Sequence, residues 1–306
     1  MPDLSVNLAG VTLKNPVIPA SGTFETVDAP LPPLDLGALG ALVNKTVTRL
    51  PREGNPPPRI WETPSGLLNA IGIPSAGVED FISHTLPMLR RQNDRLIVSI
   101  AGFSVDDFVR LASRIDHTHL ADFIELNLSC PNLSRHVSWS TDKKLLFQAV
   151  RKVKKAVSVP VIAKLSPNVT DIAAMAVTAQ EAGADVLTVV NTFRGMAIDI
   201  RAQKPALGNI HGGLSGPAVK PLALAAVWSV YEKVTIPIIG MGGIMCWQDA
   251  VEFMLAGATA VGVGMYTFVD PGVMWRIIEG LEAYAVEKKI ERLADLVGAA
   301  HLEHGV

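Results

Sequence analysis

Short runs of Val, Ile and Leu alternate along the chain with longer segments in which apolar residues recur at helical spacing. Such short apolar runs, bounded by Gly, Pro or polar residues, are typical of parallel strands that are buried on both faces. The pattern predicts strands over residues 17–20, 41–45, 96–101, 123–129, 159–165, 186–191, 236–241 and 260–265. It predicts helices over residues 105–116, 142–157, 171–182, 218–234, 247–256 and 271–289.

Local signals at the helix ends support this assignment. Asp142 and Asp171 stand at the predicted starts of two helices and are typical N-cap residues. Gly183 and Gly257 follow two predicted helix ends, where glycine is favoured. The boundaries of these helices are therefore marked by the sequence itself.

The order of the elements predicts the fold. Eight strands that alternate with helices in 306 residues indicate an α/β fold, namely a (β/α)8 TIM barrel that forms a single domain over residues 1–306. An open doubly wound sheet is the alternative, and it is expected to have a glycine fingerprint after an early strand. The nearest match, GVGMYT at residues 262–267, lacks the third glycine and lies late in the chain. The barrel is therefore favoured.

Two connections are too long to be simple turns. They cover residues 46–95 and 192–217. In a barrel of this kind the active site is built at the carboxyl ends of the strands, and long loops there usually shape the substrate site. We therefore expect both connections to be long rim loops beside the site.

Composition and charge exclude several classes of function. Hydrophobic residues make up 49% of the chain, and 27 Lys and Arg against 29 Asp and Glu give a formal net charge of -2. This balance provides no basic excess for a nucleic acid backbone. The mean hydropathy is +0.31, but even the richest region, residues 236–269, has no uninterrupted apolar run long enough for a membrane span. The apolar excess fits a buried sheet.

The cysteines and histidines indicate neither a disulfide framework nor a metal site. Cys130 and Cys246 are far apart, and the seven histidines show no metal-binding spacing. The first residues have no charged segment followed by an apolar stretch, as a signal peptide would. We expect a cytoplasmic protein without a metal.

Polar residues follow the apolar strands at the points where most of them end. Lys45 and Thr46 follow the second predicted strand, Asn127 and Lys164 lie in the fourth and fifth, and Asn191 ends the sixth. Glycines at residues 242–243 and 264 end the last two strands. Such glycines let backbone N–H groups approach a phosphate, although tight turns are the alternative. The pattern predicts one polar site that takes a phosphorylated ligand.

Three of these residue types suggest specific chemistry. Lys164 interrupts an apolar strand, so it is either a cation for an electron-rich ring or phosphate, or the partner of a buried carboxylate such as Glu125. Lys45 has the same two interpretations. Cys130 suits a general base or nucleophile, against the common alternative of a small core residue. Asn127 and Asn132 on either side favour a functional role for Cys130, whereas we interpret Cys246 as packing.

Two motifs carry a resemblance to a known family. NLSCPN at residues 127–132 and KLSPNVTD at 164–171 closely resemble the class 1 dihydroorotate dehydrogenases. The likeness covers nearly the whole chain, and its further motifs are NP at 15–16, ASG at 20–22, REGNP at 52–56, NAIG at 69–72 and GMGGI at 240–244.

The subclass follows from further segments. VNT at residues 190–192, GM at 195–196 and GGLSGPA at 212–218 look like the class 1B catalytic subunit rather than the fumarate-dependent class 1A enzyme. Class 2 enzymes use serine as the base and usually have a membrane-associated N-terminal region. Cys130 and the N-terminal sequence argue against that class.

The resemblance implies bound FMN and a site for orotate. It implies that the FMN phosphate lies near Gly216, Gly242, Gly243, Gly264 and Met265, and the ring near Ser21, Lys45, Thr46, Ser99, Asn127, Lys164 and Val190. It implies that orotate is held by Lys45, Asn69, Ala70, Ile71, Gly72, Ile73, Asn127, Asn132, Asn191 and Thr192. Cys130 would remove the C5 proton of dihydroorotate while hydride leaves C6 for the flavin, and Lys164 would stabilise the negative charge that develops. Lys45 is the third catalytic candidate.

The resemblance also implies partners. Class 1B catalytic subunits associate with an electron-transfer subunit that carries FAD and a [2Fe–2S] cluster and passes electrons to NAD. We therefore expect a homodimer that joins this subunit in a heterotetramer.

Some positions depart from the usual class 1B pattern. Residues 133–139 replace a loop that commonly contains a Gly-Gly pair, Ser99 stands where many have asparagine, and residues 25–27 replace a glycine-rich stretch. These departures leave three alternatives open: a dihydropyrimidine dehydrogenase-like flavoenzyme, a class 1A enzyme, and a non-catalytic flavin-binding barrel.

Overall fold

The computed structural model describes residues 1–24, 34–128 and 139–304, and within these ranges eight parallel strands form one sheet. In chain order these strands are β1 (Val17–Pro19), β2 (Leu42–Val43), β3 (Leu96–Ile100), β4 (Phe123–Asn127), β5 (Val161–Lys164), β6 (Val186–Val189), β7 (Ile238–Met241) and β8 (Ala260–Val263). All eight predicted strands are confirmed. Each observed strand lies within its predicted run, because the sheet hydrogen bonds end before the apolar residues do.

The sheet curves into a nearly closed barrel. Neighbours in the sheet run β1, β8, β7, β6, β5, β4, β3 and β2, so each strand from β2 to β8 pairs in parallel with the next along the chain. The two ends of the sheet meet where the N–H of Gly40, just before β2, donates to the carbonyl of Val17 in β1 at 2.9 Å. The predicted α/β barrel is confirmed, and all eight carboxyl ends of the strands lie at one end of it.

Helices surround the sheet. They are α1 (Leu86–Gln92), α2 (Val105–Asp116), α3 (Lys143–Lys154), α4 (Ile172–Glu181), α5 (Lys220–Tyr231), α6 (Trp247–Leu255) and α7 (Val273–Lys288). A short α-helix (Val78–Asp80) and a π-helical turn (Phe81–Thr85) lead directly into α1. Short 3-10 helices cover Leu36–Ala38, Pro217–Val219, Met265–Phe268, Leu293–Leu296 and Ala299–His304.

The predicted caps account for two helix starts. The Asp142 carboxylate accepts hydrogen bonds from the N–H groups of Lys144 and Leu145, and α3 begins at the next residue. The Asp171 carboxylate accepts from the N–H of Ala174 at the start of α4. Because these carboxylates satisfy N–H groups that have no partner within the helix, they set where each helix begins.

The predicted long rim loops contain strands that the sequence pattern did not reveal. Ile60–Thr63 and Gly66–Asn69 come from the first loop, and Phe193–Gly195 and Gly212–Ser215 come from the second. These four strands form one antiparallel sheet, which we call the rim sheet. It joins the two loops by pairing Asn69 with Gly213 and Leu68 with Leu214.

Two smaller strand pairs complete the strands. Val6–Leu8 pairs with Val11–Leu13 near the start of the chain, and Ile198–Asp199 pairs with Lys204–Pro205 within the second rim loop. Among the residues described, no helix combines the length and apolar character that crossing a membrane requires.

The core lies between the barrel strands and the helices around them. Phe108 of α2, Phe123 of β4 and Phe253 of α6 are fully buried there. The strands themselves are buried along their whole length, as expected when a parallel sheet is covered by helices. The polar chemistry of the protein is consequently concentrated where the strands end.

Candidate active site

A cavity of about 400 Å³ lies at the carboxyl ends of the barrel strands. Its lining comes from the ends of β1, β2 and β4 to β8, from residues that follow them, and from the rim sheet. This volume is in the range of pockets that hold small ligands and cofactors. The position agrees with the end of the barrel where the sequence predicts the site.

Most of the predicted site residues line this cavity. They are Ser21, Lys45, Thr46, Asn69, Ile71, Gly72, Ile73, Asn127, Lys164, Val190, Asn191, Thr192, Gly216, Gly242, Gly243, Gly264 and Met265. Ser99 and Ala70 do not line it, because both are fully buried behind residues that do. Cys130 and Asn132 lie outside the described residues, as do residues 25–27 and 133–138.

A polar network joins the strand ends on one side of the cavity. The Thr46 hydroxyl lies 3.0 Å from the hydroxyl of Ser99, 3.4 Å from that of Ser21, and accepts a hydrogen bond from the amide nitrogen of Asn127 at 3.2 Å. The amide nitrogen of Asn191 donates to the amide oxygen of Asn127 at 3.2 Å. Thr46 and Asn127 are largely buried, so these bonds fix the side chains that face the ligand space. Ser99 acts on the cavity only through Thr46.

Lys164 satisfies both interpretations that its sequence position suggests. Its ammonium group lines the cavity and lies 3.6 Å from the carboxylate of Glu125, and each side chain is only 4% exposed. The Thr188 hydroxyl donates to the other Glu125 oxygen at 3.0 Å. The pair brings a cation to the inner end of the cavity together with its counter-charge, which removes the cost of an isolated buried charge.

The segment from Asn69 to Ile73 is held from behind by its backbone. Asn55 donates from its N–H to the carbonyl of Ile71 at 3.0 Å and from its side chain to the carbonyl of Ala70 at 3.1 Å. The Arg52 guanidinium donates to the carbonyl of Gly72 at 2.6 Å. With these carbonyls occupied, the segment presents the remaining groups to the cavity in a fixed arrangement.

Glycines form a narrow end of the same cavity. Gly216 has φ +106°, and a Cβ there would lie 2.4 Å from the Met265 methyl carbon and 2.8 Å from the Gly66 Cα. Gly243 has φ +77°, and a Cβ there would lie 2.8 Å from the Gly216 carbonyl oxygen. Only glycine combines this backbone conformation with such close approach. The backbone is therefore exposed to a ligand at close range, which suits the phosphate end of a nucleotide-like cofactor.

An ion pair stands behind this glycine-lined end. The Lys220 ammonium lies 2.7 Å from one Asp249 oxygen and 3.0 Å from Glu252, and the other Asp249 oxygen accepts from the N–H of Met245 at 2.8 Å. Burial alone would raise the pKa of Asp249, but the Lys220 ammonium and the Met245 N–H hold that pKa below its usual value. The hydrogen bond to Asp249 raises the pKa of Lys220. Both groups are consequently held in their charged forms.

Cys246 lies beside this pair and not in the cavity lining. It is the N-cap residue of α6, its N–H donates to Asp249 at 3.3 Å, and its side chain is partly buried. Burial raises the pKa of the Cys246 thiol. A thiol held in its neutral form is a poor nucleophile, in agreement with a packing role.

The sequence interpretation missed several lining residues. These are Ala20, Gly22, Thr23, Ile60, Leu67, Leu214, Ser215, Val219, Met241, Ile244, Met245, Tyr266 and Phe268. Many of them adjoin predicted glycines or strand ends, so extending each strand by two or three residues would have found them. Ile60 and Leu67 lie in the rim sheet, and no local signal marks them as part of a site. Within the described ranges, no group of three or more His, Cys, Asp or Glu side chains is placed to hold a metal ion.

Comparison with known proteins identifies the family. The family model described as dihydroorotate dehydrogenase matches residues 3–284. The chain belongs to the dihydroorotate dehydrogenase family. The match includes the whole barrel and every described residue that lines the cavity.

Relatives within this family are similar along their full length. The chain is 50% identical over 302 residues to dihydroorotate dehydrogenase B (NAD(+)), catalytic subunit, of Desulforudis audaxviator, covering 98% of each chain. It is 49% identical over 301 residues to the protein of the same name from Desulforamulus reducens, covering 98% of this chain and 99% of the relative. The predicted resemblance to class 1B is thereby confirmed.

A solved structure shares the fold. The crystal structure of DHODH from Eimeria tenella in complex with ferulenol superposes with a TM-score of 0.82 at 25% sequence identity. The match covers 98% of this chain and 89% of that chain. The barrel is therefore retained across members of the dihydroorotate dehydrogenase family that differ at most positions.

The buried pair of Lys164 and Glu125 generates a stability prediction. We expect Glu125→Gln to lower the free energy of unfolding by about 3 kcal/mol, because Lys164 then keeps a buried charge without its counter-charge. Urea unfolding followed by circular dichroism measures this loss. The double variant Glu125→Gln/Lys164→Met removes both charges and should regain much of the loss. A single variant as stable as the wild type would contradict the prediction.

The pair of Lys220 and Asp249 generates a pH prediction. Because the pKa of Asp249 is lower in the folded chain than its usual value of 3.8, the stabilisation is present above that value and is lost as the pH falls through the folded pKa. The raised pKa of Lys220 places the other loss above 10.5. We expect the difference in urea midpoint between wild type and Asp249→Asn to be constant from about pH 5 to 9 and to shrink below about pH 4. A difference that stays constant into acid would show that the charge of Asp249 is not what stabilises the fold.

Proposed function

We propose that this protein is the catalytic subunit of an NAD-linked dihydroorotate dehydrogenase, which oxidises dihydroorotate to orotate in pyrimidine biosynthesis with bound FMN. The observation that carries the proposal is the single cavity wall in which Lys164, Asn127 and the glycines of residues 242–243 meet at the strand ends. The relatives that are about half identical over nearly the whole chain carry the name of this enzyme. The FMN cofactor and the residue roles are the finer parts of the proposal.

The two ends of the cavity fit the two ends of FMN. The glycine-lined end, with Gly216, Gly243 and Met265, would hold the phosphate through backbone groups. The opposite end, with Lys164 and the hydroxyl of Thr46, would hold the ring. When bound there, FMN supplies the acceptor for the hydride that leaves C6 of the substrate. The whole chain would thus serve as one FMN-binding barrel domain.

Amide and ammonium groups fit orotate and dihydroorotate. Lys45 provides a cation for the carboxylate, and the side chains of Asn69, Asn127 and Asn191 provide donors and acceptors for the cyclic ureide. Thr192 and the backbone of residues 71–73 complete the described part of this site. Ala70 contributes only through its carbonyl bond to Asn55, and Asn132 remains a prediction outside the described residues.

Cys130 is the proposed general base for the C5 proton of dihydroorotate. It follows Asn127 by three residues, and the Asn127 side chain lines the cavity. On the two sides of the segment that contains Cys130, the carbonyl of Leu128 accepts a hydrogen bond from the N–H of Ser140 at 3.1 Å. A base held near C5, with the Lys164 cation at the inner end of the cavity, lets proton removal proceed while negative charge is stabilised.

The electrons require a second protein to reach NAD. The relatives are named as catalytic subunits of an NAD(+)-dependent enzyme, which implies a partner subunit. We propose that the partner carries FAD and a [2Fe–2S] cluster, because two cysteines in this chain are too few to ligate a cluster. The proposed assembly is a cytoplasmic homodimer that binds this partner as a heterotetramer.

The role of Cys130 can be tested by substitution. We expect Cys130→Ala to retain bound FMN but to slow bleaching of the flavin absorbance by dihydroorotate at least about 100-fold, the size of a lost general base. Anaerobic stopped-flow absorbance measures this rate. Cys246→Ala is the matched control and should react at the wild-type rate, since Cys246 lies outside the cavity lining. Bleaching of the Cys130→Ala protein at the wild-type rate would assign the base to another residue.

The acceptor and the substrate can be tested with the wild-type protein alone. After anaerobic bleaching by dihydroorotate, we expect the flavin absorbance to stay low when NAD is added and to recover when the co-purifying iron–sulfur flavoprotein is also added. Recovery with NAD alone would contradict the need for a partner. Fast recovery with fumarate would favour a class 1A enzyme. Bleaching by dihydrouracil instead of dihydroorotate would favour a dihydropyrimidine dehydrogenase, and bleaching by neither substrate would favour a non-catalytic barrel.

A further inference from the structure

Two segments of the chain form the glycine-lined end of the cavity, and they come from different barrel repeats. Residues 216–219 precede α5, and residues 242–245 precede α6. The ligand-facing shape of this end depends on how the two segments lie relative to each other. One cluster of charged side chains, outside the cavity lining, connects them.

Asp249 connects both segments through its two carboxylate oxygens. One oxygen accepts from the ammonium of Lys220, the first residue of α5, at 2.7 Å. The other oxygen accepts from the N–H of Met245 at 2.8 Å and from the N–H of Cys246 at 3.3 Å. The Asp249 residue is 4% exposed, so these charge-assisted bonds are formed away from competing water.

The backbone of the second segment also rests against Lys220. A Cβ at Gly243 would lie 2.8 Å from both the backbone nitrogen and the Cβ of Lys220. The segment can take this position only if Lys220 stays where the Asp249 bond holds it. Glu252 makes a second bond to Lys220, at 3.0 Å, but its side chain is 44% exposed and it has no bond to residues 242–245.

We propose that the Lys220–Asp249 pair is a positioning device for the cofactor phosphate, since it fixes residues 242–245 against residues 216–219. The inference rests on the proposed function, because it takes the glycine-lined end as the phosphate site. The pair acts through the backbone and does not touch the ligand. It therefore contributes to recognition of the phosphate and not of the flavin ring, and this separates it from a general contribution to stability.

The test compares FMN with riboflavin, which has the same ring and no phosphate. The full chain is freed of flavin, and each flavin is titrated in with quenching of flavin fluorescence as the signal. We expect Asp249→Asn and Lys220→Met each to raise the Kd for FMN about tenfold, the effect of losing a charge-assisted hydrogen bond. The Kd for riboflavin should change less than about twofold. Glu252→Gln is the matched control and should bind FMN as the wild type does.

The other outcomes overturn the inference in distinguishable ways. Equal losses for FMN and riboflavin would show that the pair only stabilises the fold. Unchanged FMN binding in both variants would show that the glycine-lined end keeps its shape without the pair. A wild-type protein that binds FMN no more tightly than riboflavin would remove the phosphate site itself, and one that binds neither would refute the proposed function as well. Riboflavin binding by Lys220→Met also reports whether a variant has folded.

Discussion

The structure depends on the burial of both faces of a parallel sheet. Helices cover the outside of the barrel, and the inside is filled by side chains, so a polar side chain on a strand needs a partner within the protein. Glu125, Thr188 and Lys164 lie on three adjacent strands and satisfy one another. Because no strand face is open to water, ligand chemistry has to be located where the strands end. The cavity at those ends follows from this constraint and not from any single motif.

The site is supported at two levels. Thr46, Asn127 and Asn191 bond to one another at the strand ends, and Asp249 holds backbone from behind the glycines. In both cases a buried acceptor determines where a group that faces the ligand will lie. A site that has to direct hydride and proton transfer benefits from such support, since small displacements of the reacting groups reduce the rate strongly. The rigidity comes from the barrel, because each supporting residue lies in a strand or at the start of a helix.

Much of the architecture could be predicted from the sequence, because it rests on local patterns. The helix over Val105–Asp116 was predicted with its observed bounds, and Asp142 and Asp171 cap helices as expected. Glu125 was predicted as the possible partner of Lys164 because a buried lysine needs a carboxylate nearby. Ser99 was predicted beside the flavin ring but lies behind Thr46, since a sequence does not show which of two polar residues on neighbouring strands faces the cavity. The roles of Cys130 and Asn132 stay predictions.

The rim sheet could not be predicted, because its strands are short and its pairing is non-local. Leu68 pairs with Leu214, more than a hundred residues away, and neither strand alternates clearly between apolar and polar residues. This pairing has a consequence for how substrate preference can diverge among related enzymes. Asn69 and Ser215 belong to different loops but to one hydrogen-bonded sheet, so an insertion that shifts one strand also displaces its neighbour. Lineages that adapt this roof to a differently shaped ligand must therefore change both loops in a coordinated way, whereas the turns at the outer ends of the strands can vary independently.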